Sequence, residues 1–284
     1  MRYAGLSDRH SKEHINDGYF QKIKHWIGIK NTIHYPYPAV DITLPNNVSL
    51  HLVGSIHMGV STMSPLSNVL INEIKNAEAI IVEADISTDV QPFDQASLFR
   101  SSLETRLNTP LFSQITQHCE DLALSLYQLE NKPLWQIALI LQSTQAMQLG
   151  LQPQYGIDYQ VIQYANAYKK NIIELEGIEE QVALLLNFPD DGQQLLEDTL
   201  KNWHENARTL QIMINWWLNY NSKEKQPPLP NTFSKAVFDI LMESRNQKWA
   251  SILSKLPAGR YVVTVGALHL FGEENLIDLL THPA

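Results

Sequence analysis

The sequence predicts an α/β fold: a central mixed, largely parallel sheet covered by helices, with a large helical insertion. Three observations carry this expectation. Short, almost wholly apolar runs such as Ala79-Ile80-Ile81-Val82 and Tyr261-Val262-Val263-Thr264-Val265 read as strands buried on both faces. These runs alternate with segments of helical spacing, the order that builds parallel sheets. Apolar residues make up 44% of the 284, enough for a sizeable core.

Taken in order, residues 1–38 read as an N-terminal arm closed by Tyr35-Pro36-Tyr37-Pro38. The arm is polar and has no apolar stretch of membrane-spanning length, so neither a secretory leader nor an integral membrane segment is expected, and a cytoplasmic location is the default. A short interfacial helix around Trp26 and Ile27 is a minor alternative. From residue 39 to 284 no linker rich in Gly, Ser or Pro divides the chain, so one domain is expected. Ala39 to Leu44 and Val48 to Val53 form a hairpin signal around Pro45-Asn46-Asn47. Ser64-Pro65 has the chemistry of a helix start, with the helix running to about Ala77. Residues 95–150 and 178–255 read as mostly helical. Pro110 and Pro133 punctuate the first stretch, and a long helix is expected over 232–255, after the loop Gln226 to Pro230. Asp158 suits the N-cap of a helix ending near Lys170. Ile172 to Glu176 reads as a strand, and a short helix ends near Leu280.

Composition excludes several classes. A net charge of −9 with no Lys/Arg run argues against nucleic-acid binding. Cys119 is the single cysteine, so a disulfide within the chain and a Cys-rich zinc site are both ruled out. No Gly-x-Ser-x-Gly elbow is present, and Arg208 stands where the second histidine of a His204-Glu205 zincin helix would be needed. Trp203, Trp216 and Trp217 read either as helix packing or as the wall of an apolar groove.

The most informative feature is an internal echo. Gly54-Ser55-Ile56-His57 and Gly266-Ala267-Leu268-His269 each follow directly on an apolar strand. Glycine lets the backbone turn sharply there, and the histidine then sits at the carboxyl edge of the sheet, where α/β proteins bind ligands. Glu83 ends a third apolar strand and can reach the same edge. Two imidazoles and one carboxylate leave coordination positions open for water, the pattern of a catalytic divalent-metal site. The alternative for each histidine is a cap or a core hydrogen bond.

With these residues in view the chain resembles the TraB/GumN family, related to TIKI-type metalloproteases and to erythromycin-esterase and ChaN-like proteins. The resemblance runs from about Val40 to Leu280. Its motifs are Gly54 to His57, Ile81-Val82-Glu83-Ala84-Asp85, Tyr155-Gly156-Ile157-Asp158, Glu174-Leu175-Glu176 with Glu180-Gln181, Arg245-Asn246, and Gly266 to Leu270 with Gly272. The resemblance implies a metal-dependent hydrolase, most readily a peptidase or another amide or ester hydrolase. It favours Mn or Co over Zn or Fe.

Roles follow residue by residue. His57, His269 and Glu83 are the expected metal ligands, with Glu83 alternatively the base that takes a proton from the metal-bound water. Glu176, at a strand end, is either a second choice for ligand or base, or a polar terminus. Arg245 is expected to clamp a substrate carboxylate or stabilise an oxyanion, and otherwise to form a surface ion pair. Asn246 is expected beside the substrate, and Gln181 to orient a ligand. Asp158 either caps its helix or points into the site. The substrate is then a small molecule or peptide. The competing reading is a protein without turnover, holding haem or a peptide on the same fold.

Overall fold

The computed structural model describes residues 34–86, 101–224, 227 and 231–282. The expected arm up to residue 33, the stretch 95–100 and most of the loop Gln226 to Pro230 lie outside the described residues. Five strands form one sheet: β1 (Ala39–Thr43), β2 (Val48–Ser55), β3 (Ala79–Val82), β4 (Asn171–Glu174) and β5 (Gly259–Gly266), in the order β1-β2-β5-β3-β4. β1 is antiparallel to β2, and every other pairing is parallel. The hairpin turns at Asn47, which adopts a positive φ of 60°. Asparagine tolerates that conformation better than most residues.

Helices among the described residues are α1 (Asn68–Asn76), α2 (Leu103–Arg106), α3 (Thr109–Asp121), α4 (Leu134–Gln148), α5 (Ile157–Ala167), α6 (Ile178–Leu186), α7 (Gln193–Lys201), α8 (Trp203–Leu218), α9 (Lys235–Phe238), α10 (Ser244–Leu253), α11 (Ala267–Phe271) and α12 (Leu276–Thr281). Pro110 falls in the first turn of α3 and Pro133 just before α4, positions that need no amide donor.

Three details differ from the sequence expectation. The first helix starts at Asn68 because Ser67, not Ser64, accepts the Leu70 amide. Gly156 and not Asp158 occupies the N-cap of α5, which frees the Asp158 carboxylate for another partner. The long helix expected over 232–255 is interrupted by a π-helical turn, Asp239–Glu243, between α9 and α10. Its physical role is local: the Leu241 carbonyl accepts a hydrogen bond from Arg245 Nη1 at 3.2 Å. Such turns are often found at functional sites.

Both faces of the sheet are covered. On one face Val53, Ile80 and Val262 pack with Leu70, Ile74, Val161, Ile162 and Trp217 from α1, α5 and α8. On the other, Leu50, Ile81 and Val263 pack with Trp249, Leu253 and Leu276 from α10 and α12. The helical insertion has its own core around Leu103, Ile115, Trp135, Ile137 and Leu196. Trp216 and Trp217 are buried, and the Trp217 indole donates to the Gly54 carbonyl at 3.1 Å, so both belong to packing. Tyr35 and Tyr37 also enter this core, so the segment preceding β1 is part of the fold. No helix among the described residues is long and apolar enough to cross a membrane.

Candidate active site

β2, β3 and β5 run parallel and end at the same edge of the sheet, and their last residues open a cavity of about 750 Å³. His57, Glu83, Arg245, Gly266 and His269 line its floor. Gly266 is the centre of the arrangement. A Cβ built on it would lie 3.4 Å from Glu83 Oε1, 3.5 Å from His269 Cδ2 and 3.9 Å from His57 Nε2. A glycine therefore keeps open the small space that these three side chains share.

Glu83 is fixed at both oxygens. Its Oε1 accepts the Gly266 amide and its Oε2 accepts Arg245 Nη2, both at 2.7 Å. Burial favours the neutral acid, but the facing His269, Arg245 and His57 and the Gly266 amide outweigh it and bring the carboxyl down to about 2. Each carboxylate oxygen keeps a second lone pair.

Arg245 is the hub. Its Nε and Nη2 grip the two oxygens of Glu176 at 2.8 and 3.0 Å, and its Nη1 approaches His269 Nε2 at 3.3 Å. The guanidinium lies 4.6 Å from the ring centroid of Trp249, whose indole donates to Glu176 Oε1 at 3.0 Å. The fork geometry of arginine suits this bridging of two carboxylates from different strand ends. Glu176, with a side chain 3% exposed, is thus spent on positioning Arg245 and does not line the cavity.

His57 is held from behind. Its Nδ1 donates to Asp158 Oδ2 at 2.7 Å. Asp158 reaches it because α5 starts against the His57 loop: a Cβ on Gly156 would sit 2.2 Å from the His57 carbonyl oxygen, so only glycine allows the approach. The Ile157 amide then donates to the Ile56 carbonyl, and the Asp158 amide to Ser55 Oγ. The Asp158 charge beside it raises His57 to about 9, against the opposing pull of desolvation. The ring is 65% exposed, toward the cavity, and is cationic at neutral pH.

His269 is the opposite case. Burial, opposed in part by Glu83 and aided by Arg245, lowers it to about 4, so it is neutral. Asn246 fixes its tautomer. The Asn246 amide donates to the Glu274 carbonyl at 2.8 Å, so its Oδ1 accepts from His269 Nδ1 at 2.7 Å, and Nε2 is left as an acceptor. Asn246, expected beside the substrate, is fully buried behind His269. Gln181, expected to orient a ligand, lies on α6 outside the cavity lining.

The donor set does not fit a divalent ion as it stands. Arg245 and Gly266 hold a lone pair on each oxygen of Glu83, and Arg245 faces the free nitrogen of His269. Among the described residues no group of three His, Cys, Asp or Glu is placed to hold a metal. The same contact at His269 Nε2 stands against the two histidines gripping a haem iron.

Of the two roles expected for Asp158 the structure shows the second: it does not cap its helix and binds His57 instead. The apolar cavity walls carried no expectation from the sequence. For comparison with known proteins, the TraB/PrgY/gumN family model matches residues 40–283. The chain is 48% identical over 255 residues to the "Uncharacterized protein YbaP" of Escherichia coli (strain K12), covering 90% of this chain and 96% of that protein. It matches the protein of the same name from Shigella flexneri to the same extent. No solved structure matches. With that model spanning most of the sequence, the chain belongs to the TraB/PrgY/gumN family.

Proposed function

We propose that this protein is a hydrolase of amide or ester bonds that works by proton transfer between Glu83 and His57. The observation that carries the reading is their placement. An ionised carboxylate and an imidazolium flank the same gap at Gly266, on the floor of a cavity large enough for a small-molecule ligand. The resemblance read from the sequence implies a metal-dependent hydrolase, so it supports the class of bond cleaved and fixes neither the proton-transfer route nor the substrate.

In this reading a water molecule lies in the gap beside Gly266. Glu83 takes one of its protons as the oxygen attacks the carbonyl carbon. His57 Nε2 gives its proton to the leaving nitrogen or oxygen as the scissile bond breaks, and the proton on Glu83 then passes to His57, which restores both groups. Asp158 keeps His57 charged and oriented, and Arg245 keeps Glu83 ionised and aimed. Asn246 fixes the His269 tautomer, with Nε2 toward Arg245. Each of these three is a positioning residue.

The test is turnover of a panel of fluorogenic amides and esters by the purified protein, by Glu83→Gln and by His57→Gln. The reading expects hydrolysis that falls at least about a hundredfold in either variant, with unchanged circular dichroism. It also expects turnover to persist in a chelator, since Arg245 faces the free nitrogen of His269 and His57 carries a proton on each ring nitrogen. Equal rates in all three proteins, or loss of turnover on chelation, would overturn it.

A further inference from the structure

Resting on the hydrolase reading, we infer that the substrate carries an uncharged acyl chain, which lies along the helical wall of the cavity with its carbonyl at Gly266. The cavity is divided by charge. Its ionisable lining residues are His57, Glu83, Arg245, His269 and Glu273, and the first four gather at the floor. The wall above them is uncharged and mostly apolar, with Leu139, Ile140, Leu195, Leu210, Met213 and Phe238 among a few amide and hydroxyl side chains. A ligand with one polar group and one apolar tail complements that division.

A peptide fits the wall less well. An extended peptide needs partners for its amides, usually a free strand edge. This wall is helical, and helical backbones satisfy themselves. Three of its polar side chains are engaged within the protein, while Thr209 Oγ1 is buried without a partner among the described residues. Gln142 donates to Thr199 at 2.6 Å, Gln145 to the Trp203 carbonyl at 3.1 Å, and Ser143 to the Ile140 carbonyl at 3.1 Å. Met213 and Met242 add unbranched, adaptable side chains that can follow a flexible chain. Leu241 joins wall to floor: its side chain lines the cavity while its carbonyl accepts from Arg245. Filling the wall therefore bears directly on the residue that holds Glu83.

The test separates binding from turnover. Alkyl methyl ketones of 4, 8 and 12 carbons have the carbonyl and the chain but no leaving group. Calorimetry on the protein is expected to show affinity rising roughly fourfold per added methylene until the cavity is full. Leu210→Asp, and Met213→Trp in case the first variant folds poorly, are expected to weaken the 12-carbon ketone at least tenfold. Affinity independent of chain length, or tighter binding of an apolar tetrapeptide than of the 12-carbon ketone, would overturn the inference. Chain-dependent binding without any turnover would overturn the hydrolase and leave the acyl site standing. Turnover of short acyl substrates with no gain from longer chains would do the reverse.

Discussion

Asp158 Oδ2 stands 2.7 Å from Nδ1 of His57, across 101 residues of chain. That contact sets the charge of the exposed imidazole on the cavity floor. Asp158→Asn keeps a hydrogen-bond partner and removes the charge. His57, near 9 in the wild type, should fall toward the ordinary value of 6.5. An NMR titration of the imidazole proton reads this directly. An unchanged His57 would show that Asp158 does not control it.

Arg245 bridges carboxylates that would otherwise be buried without an ion-pair partner: the Glu83 side chain is 11% exposed and that of Glu176 is 3%. Arg245→Ala should cost about 3–5 kcal/mol, because breaking such a pair leaves uncompensated charge. Arg245→Lys should recover little, since an ammonium cannot grip Glu176 at two points and Glu83 at once. Urea unfolding of the three proteins measures both effects. A loss below about 1 kcal/mol for the alanine variant would mean that water replaces the guanidinium.

Stability should peak near pH 6.5. The depressed His269 contributes stability that is present above its ordinary 6.5 and is lost as pH falls toward about 4. Glu83 follows the same direction lower down, losing its contribution from 4.5 toward about 2. The raised His57 works oppositely: its contribution is full below 6.5 and is lost as pH rises through about 9. Because the His57 ring is largely exposed, the alkaline limb should be the shallower. Chemical denaturation across pH checks the shape, and His57→Gln should flatten the alkaline side alone.

Gly266→Ala tests the shared gap. The residue has φ −49° and ψ 136°, which alanine adopts without strain, so stability should change by less than about 1 kcal/mol. The added methyl would stand where Glu83, His269 and His57 converge. Turnover should drop by about tenfold or more, as expected when reacting atoms are displaced. Full activity in a folded alanine variant would place the reaction elsewhere.

The strands and the histidine pair were legible because both are local signals. A wholly apolar run such as Ala79 to Val82 has few other readings, and a glycine at a strand end fixes where His57 and His269 emerge. What the sequence concealed depends on contacts between distant segments. Arg245 lies 162 residues from Glu83 and 69 from Glu176, and its helix position looks the same whether it faces water or carboxylates. Asp158 satisfies the pattern of a helix cap, and nothing local shows that Gly156 takes that place. The apolar wall residues follow the same helical period as ordinary core, so Leu210 and Met213 carry no mark of a cavity. The π turn before Arg245 has no local pattern that separates it from a continuous helix.

The most direct measurement is kcat/KM against pH, from 6 to 11, for wild type and Asp158→Asn on one amide substrate. If cationic His57 donates the proton, wild-type activity is flat near neutrality and declines above about 9, and the decline in the variant begins at lower pH. Activity that climbs through pH 9, or an identical profile in both proteins, would contradict the account.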